Sequence, residues 1–457
     1  MTATRAWLAE LAWSPDFGLR ADVLIEAAGD RLTSVTPDAE PPPGVIRLAG
    51  LTMPGLANAH SHAFHRALRG ITQASRGTFW TWRERMYEVA DRLDPDSYLA
   101  LATAVYAEMA LAGVSCVGEF HYLHHGPSGT PYADPNQMGR SLIEAARQAG
   151  IRITLLDACY LAGGLSADGR PQPLEGAQLR FGDADGTAWA ARADALGQDA
   201  VGGLSPHARV GAAIHSVRAV PPEQMSDVVA WSHHYGAPLH AHVSEQVAEN
   251  RACIAAYRAT PAEVLSRAGA LGPRSTAVHA THLTGGDVAL LGESRVYVCM
   301  CPTTEADLAD GIGPARELAS AGSPVTLGSD SQAVIDILEE ARRVELGERL
   351  ASQERGCFTA VELASAATTA GHASLGWPEA GDLVAGGLAD FCTVALDSPR
   401  TAGADTATAL ESVIFGASAA DVRHLVVGGR DIVADGRHVL IPDVPGALTA
   451  AIKAVLR

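Results

Sequence analysis

The chain has 457 residues, 47% of them hydrophobic and 19% charged, and Asp plus Glu outnumber Lys plus Arg by 52 to 34. That length and apolar fraction supply a large buried core and exclude collagen-like, mucin-like and disordered classes. The formal charge of −18 opposes nucleic acid, whose phosphates need a basic face, and the single lysine, Lys453, leaves none for a Schiff base, a P-loop or a carbamate-bridged metal pair deeper in the chain.

Residues 1–50 read as short strands with turn signals such as Pro41, Pro42 and Pro43, the first part of a small β-layer. From residue 52 short apolar runs recur near 52–60, 114–120, 151–158, 210–215, 238–243, 276–280, 295–301 and 324–329. Between them lie stretches with apolar residues at helical spacing, such as Pro222 to His234 and Pro261 to Ala268. Eight βα units predict an α/β chain with a (β/α)₈ TIM-like barrel over residues 51–380. A doubly wound sheet is disfavoured because no GxGxxG follows an early strand.

Residues 163–186, rich in Gly, Pro and Asp, predict a long loop. The apolar stretch Leu99 to Val117 is interrupted by Glu108 and Gly113, and reads as a core helix followed by a strand, not as a membrane span. Strand character returns in Ala385 to Leu396 and Leu425 to Ile441. Residues 381–457 are therefore expected to pair with the N-terminal strands in one small β-sandwich and to end in a helix. Glu10 interrupts any apolar signal core, and the seven cysteines include no CxxC pair. Both features point to a reducing cytoplasm with no membrane partner.

Barrel enzymes place their chemistry at the C-terminal ends of the strands. Six of the eight runs end here in histidine or carboxylate: His60 and His62; Glu119 and His121, with Tyr122; His215, with Arg218; His240, His242 and Glu245; His279 and His282; and Asp330. His60 and His62, two apart on a strand, share one face. With His242 and Asp330 they offer three imidazoles and one carboxylate, a set suited to Zn²⁺, with Fe²⁺ or Mn²⁺ as alternatives. The fourth strand offers His215 where a two-metal site commonly needs a carboxylated lysine, so one metal per chain is expected.

Glu245, three residues past His242, is placed to reach a metal-bound water, although a solvated loop carboxylate is the commoner fate of such a residue. His279 is a candidate to polarise a leaving group or to hold the water. Arg83 in the aromatic-flanked run Phe79, Trp80, Thr81, Trp82, and Arg218 near His215, suit bidentate carboxylate recognition. A small anionic substrate would need such local charges against the global field.

These residues lie in motifs that resemble the formimidoylglutamate deiminases of the amidohydrolase superfamily. The motifs are MPGLANAHSHAFHRALRG (53–70), FWTWRERMY (79–87), EFHYLHH (119–125), AIHSVRAV (213–220), HAHVSEQ (240–246), VHATHL (278–283), CPTTEADL (301–308) and LGSDS (327–331). The resemblance spans nearly the whole chain. It implies a zinc held by His60, His62, His242 and Asp330, a catalytic set of Glu245, His279 and Asp330, and contacts to a glutamate portion from Arg83, Tyr122, His215 and Arg218. His65 stands where some members carry Gln, and would contribute a further substrate contact. The implied reaction is hydrolytic deimination of N-formimidoyl-L-glutamate in histidine degradation, by a homodimer. Two other readings start from the same residues: a deaminase of guanine, cytosine or an adenosine derivative, and a non-catalytic barrel, which would be expected to lose metal ligands.

Overall fold

A computed structural model describes residues 4–74, 76–201 and 205–457. Eight parallel strands follow one another in chain order: Leu56–Ser61, Val114–His121, Arg152–Cys159, Ala208–Ile214, Leu239–Val243, Ser275–His279, Tyr297–Met300 and Val325–Leu327. They are buried along nearly their whole length, as parallel strands covered on both faces must be, which is why each shows in the sequence as an apolar run. Helices cover the outside, among them Pro222–Tyr235 and Pro261–Arg267; the second is capped by the Thr260 side chain.

A parallel bridge between Ser61 and Asp330 joins the end of the eighth strand to the first. Gly328 makes the approach possible, because a Cβ there would lie 2.7 Å from His60 Cβ and 2.9 Å from its carbonyl oxygen.

Strands from both chain ends form a second sheet in the order Arg437–His438, Arg430–Ala434, Val422–Val427, Phe391–Val394, Ile46–Pro54, Thr4–Ser14, Gly18–Ala28, Arg31–Thr36. Its own core includes Trp7, Val23, Ile25, Leu48 and Phe391. The chain ends in the helix Val444–Leu456. The apolar run near 52–60 serves both sheets: Ile46–Pro54 pairs with Thr4–Ser14 and Phe391–Val394, whereas Leu56–Ser61 opens the barrel. Gly55 marks the break, where a Cβ would meet Ser115 Oγ at 2.4 Å. A buried ion pair ties the two sheets together, with Arg152 Nη2 3.0 Å from Asp390 Oδ1.

One buried side chain anchors the long loop after the third strand. It holds a small hairpin, Gly164–Leu165 with Pro171–Gln172, and a 3₁₀ turn, Gly176–Arg180. The fully buried Arg180 donates to the carbonyls of His125 at 2.9 Å, Leu93 at 2.6 Å and Ala90, which pins the loop beneath the helix Phe79–Arg92. The stretch from Leu99 lies in helix Pro95–Leu111 and the following strand. Among the described residues no helix is long and apolar enough to cross a membrane.

Candidate active site

The strand period of two brings His60 and His62 to one side, as their spacing requires. Their Nε2 atoms lie 3.2 and 3.3 Å from Asp330 Oδ1, and His242 Nε2 lies 3.1 Å from His60 Nε2. One ligand atom from each of His60, His242, His279 and Asp330 falls within 4.8 Å of the others, and His62 joins them through Asp330. All five residues are buried.

Hydrogen bonds decide which ring nitrogens face inward. His62 Nδ1 donates to the Phe120 carbonyl and His242 Nδ1 to the His215 carbonyl, both at 2.9 Å. A carbonyl only accepts, so Nδ1 carries the proton and Nε2 turns a lone pair to the centre. Burial also holds the His60, His62 and His242 imidazoles well below their usual pKa. The His62 lone pair therefore meets the Asp330 carboxylate acceptor to acceptor, an arrangement that a cation relieves. Neutral imidazoles, two of them fixed from behind by carbonyls, with a carboxylate beside them, are the donor chemistry of zinc. The residues fit the metal that the sequence implies.

His279 is set up differently. Its Nδ1 faces Glu305 Oε1 at 3.5 Å, and its Nε2 lies 4.0 Å from both Glu245 Oε1 and Asp330 Oδ2. Burial alone would lower its pKa, but Glu245, Glu305 and Asp330 outweigh burial and raise it well above the usual value. For Asp330, burial pushes upward and His279, His62 and His242 pull the carboxyl below its normal range. Burial raises Glu245, against the pull of His279 and Arg218. The backbone carries strain at the same strand ends: Ser244, His279, Ala280, Asp330 and Gln332 have φ of 54°, 66°, 50°, 42° and 61°.

A cavity of about 60 Å³ opens over this cluster. His65, Arg83, Tyr122, His215 and Arg218 all line it, together with Glu245, His279 and Asp330. His65 Nε2 and Tyr122 OH are 2.9 Å apart, and burial lowers the His65 pKa to about 4. Arg83 bonds the Tyr87 hydroxyl through Nε. Arg218 has only long ion pairs, 3.9 Å to Glu245 and 3.6 Å to Glu249, and its Nε has no hydrogen-bond partner among the described residues.

Five residues that sequence reasoning missed complete the surroundings: Tyr87, Tyr160, Gln178, Glu249 and Glu305. Gln178 Nε2 reaches Tyr87 OH at 3.0 Å, Tyr160 OH at 3.3 Å and the Gly163 carbonyl at 3.0 Å, and so joins the long loop to the helix that carries Arg83. Tyr160 was recoverable as the residue just after a strand end, and Tyr87 by its i+4 spacing from Arg83. Nothing local marks Gln178 or Glu305.

Other strand-end histidines lie outside the cluster. His240 bonds the Ser374 carbonyl at 3.1 Å. His121 and His124 approach Asp157 in a second buried group, but Arg192 and Trp189 already occupy both Asp157 oxygens at 2.8–2.9 Å. That guanidinium gives the second group its positive charge. His282 contributes backbone bonds, its N–H donating to the Ser244 carbonyl at 3.0 Å. A larger cavity of about 820 Å³ lies across helix Pro302–Leu308, lined by apolar groups such as Ile312, Val344, Leu346 and Leu350.

The chain matches the amidohydrolase family over residues 51–432 and belongs to that family. Along 453 aligned residues it is 35% identical to formimidoylglutamate deiminase of Pseudomonas aeruginosa, with 95% of each chain covered. The crystal structure of an amidohydrolase from Brucella melitensis superposes with a TM-score of 0.90 at 32% identity, covering 99% of this chain and 100% of that one. An adenosine deaminase from Xanthomonas campestris, solved with bound zinc, shares the fold at a TM-score of 0.82 and 21% identity, over 98% of each chain. The eight-stranded barrel is as expected, whereas the strands of the two chain ends, expected as a small β-sandwich, form one separate eight-stranded sheet.

Proposed function

We propose that this protein hydrolyses N-formimidoyl-L-glutamate to N-formyl-L-glutamate and ammonia, acting on a C–N bond of a linear amidine. The observation that carries the reading is Arg218. Its guanidinium, on a side chain 14% exposed, lines the same cavity as the imidazole and carboxylate cluster and meets no carboxylate closer than 3.6 Å among the described residues. Such a group calls for an anionic oxygen from a ligand. Arg83 on the same wall supplies a second positive charge. Two arginines favour a dicarboxylate over a neutral nucleobase, and the similarity to the Pseudomonas aeruginosa deiminase points the same way.

His60, His62, His242 and Asp330 would hold one zinc, with Fe²⁺ or Mn²⁺ as alternatives. His279 also brings a nitrogen within 4.8 Å of the ligand atoms of His60, His242 and Asp330, and it is kept as a catalytic residue on the family resemblance, with Glu245, Glu305 and Asp330 around it favouring its protonated form. A bound zinc lowers the pKa of water from 15.7 to about 7 and so supplies the nucleophile at neutral pH.

The residues of the chain do the rest. Asp330 accepts the proton of the attacking water. As the amidine carbon becomes tetrahedral, His279 donates a hydrogen bond to the developing charge. Glu245 carries a proton to the departing nitrogen, a general acid–base step typically worth about 10²–10⁴-fold. Arg83 and Arg218, with His65, Tyr122 and His215, hold the glutamate portion, so that the terminal NH₂ departs and the glutamate nitrogen stays. A place in histidine degradation and a homodimer, both by family resemblance, a cytoplasmic location, from the cysteine pattern, and the division into 1–50, 51–380 and 381–457 complete the proposal.

The test is ammonia release from N-formimidoyl-L-glutamate, guanine, cytosine and adenosine, with protein as isolated, after chelation and after zinc is restored. Zinc-dependent release of one ammonia per N-formylglutamate is expected. Activity on a nucleobase alone would overturn the assignment built on the arginines.

A further inference from the structure

Glu249 touches neither the cavity nor the metal ligands, yet it is fully buried between two residues that the reaction needs. It lies in the first turn of helix Val247–Tyr257, directly after the fifth-strand loop that carries Glu245. Its Oε2 accepts the Glu245 backbone N–H at 3.2 Å. Its Oε1 has no hydrogen-bond partner among the described residues and faces Arg218 Nε, also unpartnered, at 3.6 Å. A shift of well under 1 Å would close that pair to ordinary hydrogen-bond length.

We propose that Glu249 is the positioning residue that aims Arg218 at the substrate carboxylate and keeps it off Glu245. The guanidinium has two buried carboxylates within reach, Glu249 at 3.6 Å and Glu245 at 3.9 Å. A largely buried cation that loses one partner is left uncompensated and is drawn to the anion that remains within reach. Engaged at Nε by Glu249, Arg218 presents its Nη edge to the cavity, the geometry that binds a carboxylate through two parallel bonds. Without the Glu249 charge, Arg218 closes on Glu245. That one movement removes the substrate's counter-ion and ties up the carboxylate that must carry a proton. Glu249 thereby couples recognition of the substrate to the readiness of the acid–base group. This inference rests on the reading that Arg218 binds substrate.

The test is a double-mutant cycle on the zinc-loaded full chain with N-formimidoyl-L-glutamate as substrate. Arg218→Ala alone raises KM by about tenfold or more, the loss of a charged hydrogen bond; an unchanged KM overturns the reading of Arg218 itself. Glu249→Gln retains an oxygen for the Glu245 N–H but loses the charge. It raises KM and lowers kcat, each by about tenfold, with zinc content unchanged. In the Arg218→Ala background the same Glu249→Gln change alters neither parameter by more than about twofold, because no guanidinium remains to close on Glu245. Full additivity of the two changes, or wild-type kinetics for Glu249→Gln, overturns the proposal while leaving Arg218 as a substrate residue. Glu249→Asp keeps the charge but shortens its reach, and serves the same cycle should the glutamine variant not fold. Failure of both variants to fold would assign Glu249 to stability alone and also overturn the proposal.

Discussion

Ser61 and Asp330 face each other across the seam where the eighth barrel strand meets the first. The Asp330 N–H donates to the His60 carbonyl at 3.0 Å, and the His62 N–H donates to the Asp330 carbonyl at 3.1 Å. Closing the barrel and bringing three of the four proposed ligands together are therefore one event. Gly328→Ala tests this coupling, since its Cβ would press on the His60 backbone. Overpacking of this kind costs about 1–3 kcal/mol. Urea unfolding should register the loss, and zinc affinity should fall with it. Lost stability with unchanged zinc affinity would separate the seam from the site.

Metal retention should sort the buried residues of the cavity into two groups. Asp330→Asn or His242→Ala should leave a folded chain that holds little zinc, measured by elemental analysis after dialysis. Glu245→Gln should keep about one zinc per chain and lose about 10²–10⁴-fold in kcat. Zinc at 1,000 times its Kd should stabilise the wild-type fold by about 4 kcal/mol, and the ligand variants far less. A Glu245→Gln protein that turns over normally would remove that residue from the chemistry.

Much of this architecture was legible in the sequence because barrel strands are buried on both faces and so appear as apolar runs. The ligating side chains were legible for a related reason. Imidazoles and carboxylates at the ends of such runs, as at His60, His62, His242 and Asp330, contradict the apolar pattern around them. Two kinds of feature were hidden. The run near 52–60 looks continuous although Gly55 divides it between two sheets, because both halves are equally buried. Residues that act through distant partners were hidden as well: Gln178 depends on Tyr87 and Tyr160, and Glu305 on His279. Glu249 left a faint trace, an acidic residue one helical turn beyond Glu245, but only its burial against Arg218 shows what it meets.

Glu119 gives the fold a pH dependence of definite sign. It is fully buried under the first strand end, accepting from Ser61 Oγ and the Ala63 N–H, both at 2.7 Å. Burial raises its pKa to about 8, against an ordinary 4.5, despite those hydrogen bonds. The folded state therefore holds a proton between these values that the unfolded chain has released. Its contribution to stability is complete below about 4.5 and is lost as pH climbs toward 8, with a slope of at most roughly 1.4 kcal/mol per pH unit. Urea midpoints measured from pH 5 to pH 8 should fall for the wild type and fall less steeply for Glu119→Gln. Parallel curves for the two proteins would show that Glu119 does not carry the effect.

Arg180 is the hinge of a different argument, about why a loop rich in Gly, Pro and Asp stays ordered beside the cavity. Its guanidinium is buried without a carboxylate in hydrogen-bond contact, and it spends its donors on the carbonyls of Ala90, Leu93 and His125. The Arg180 backbone carbonyl in turn accepts from the N–H groups of His124 and His125. Arg180→Met preserves much of the apolar stem but takes the Arg180 donors from the carbonyls of Leu93 and His125 and leaves that of Ala90 with only the Leu93 N–H, at a cost of about 2 kcal/mol or more. That loss falls on the loop before the barrel, because the barrel strands keep all their own bonds. Limited proteolysis should then cut within residues 163–186 far faster than in the wild type. KM should rise as well, since Gln178 reaches Tyr87 and the Arg83 helix from this loop. A variant whose loop resists protease like the wild type would show that the hairpin and the Gln178 contacts hold the segment without Arg180.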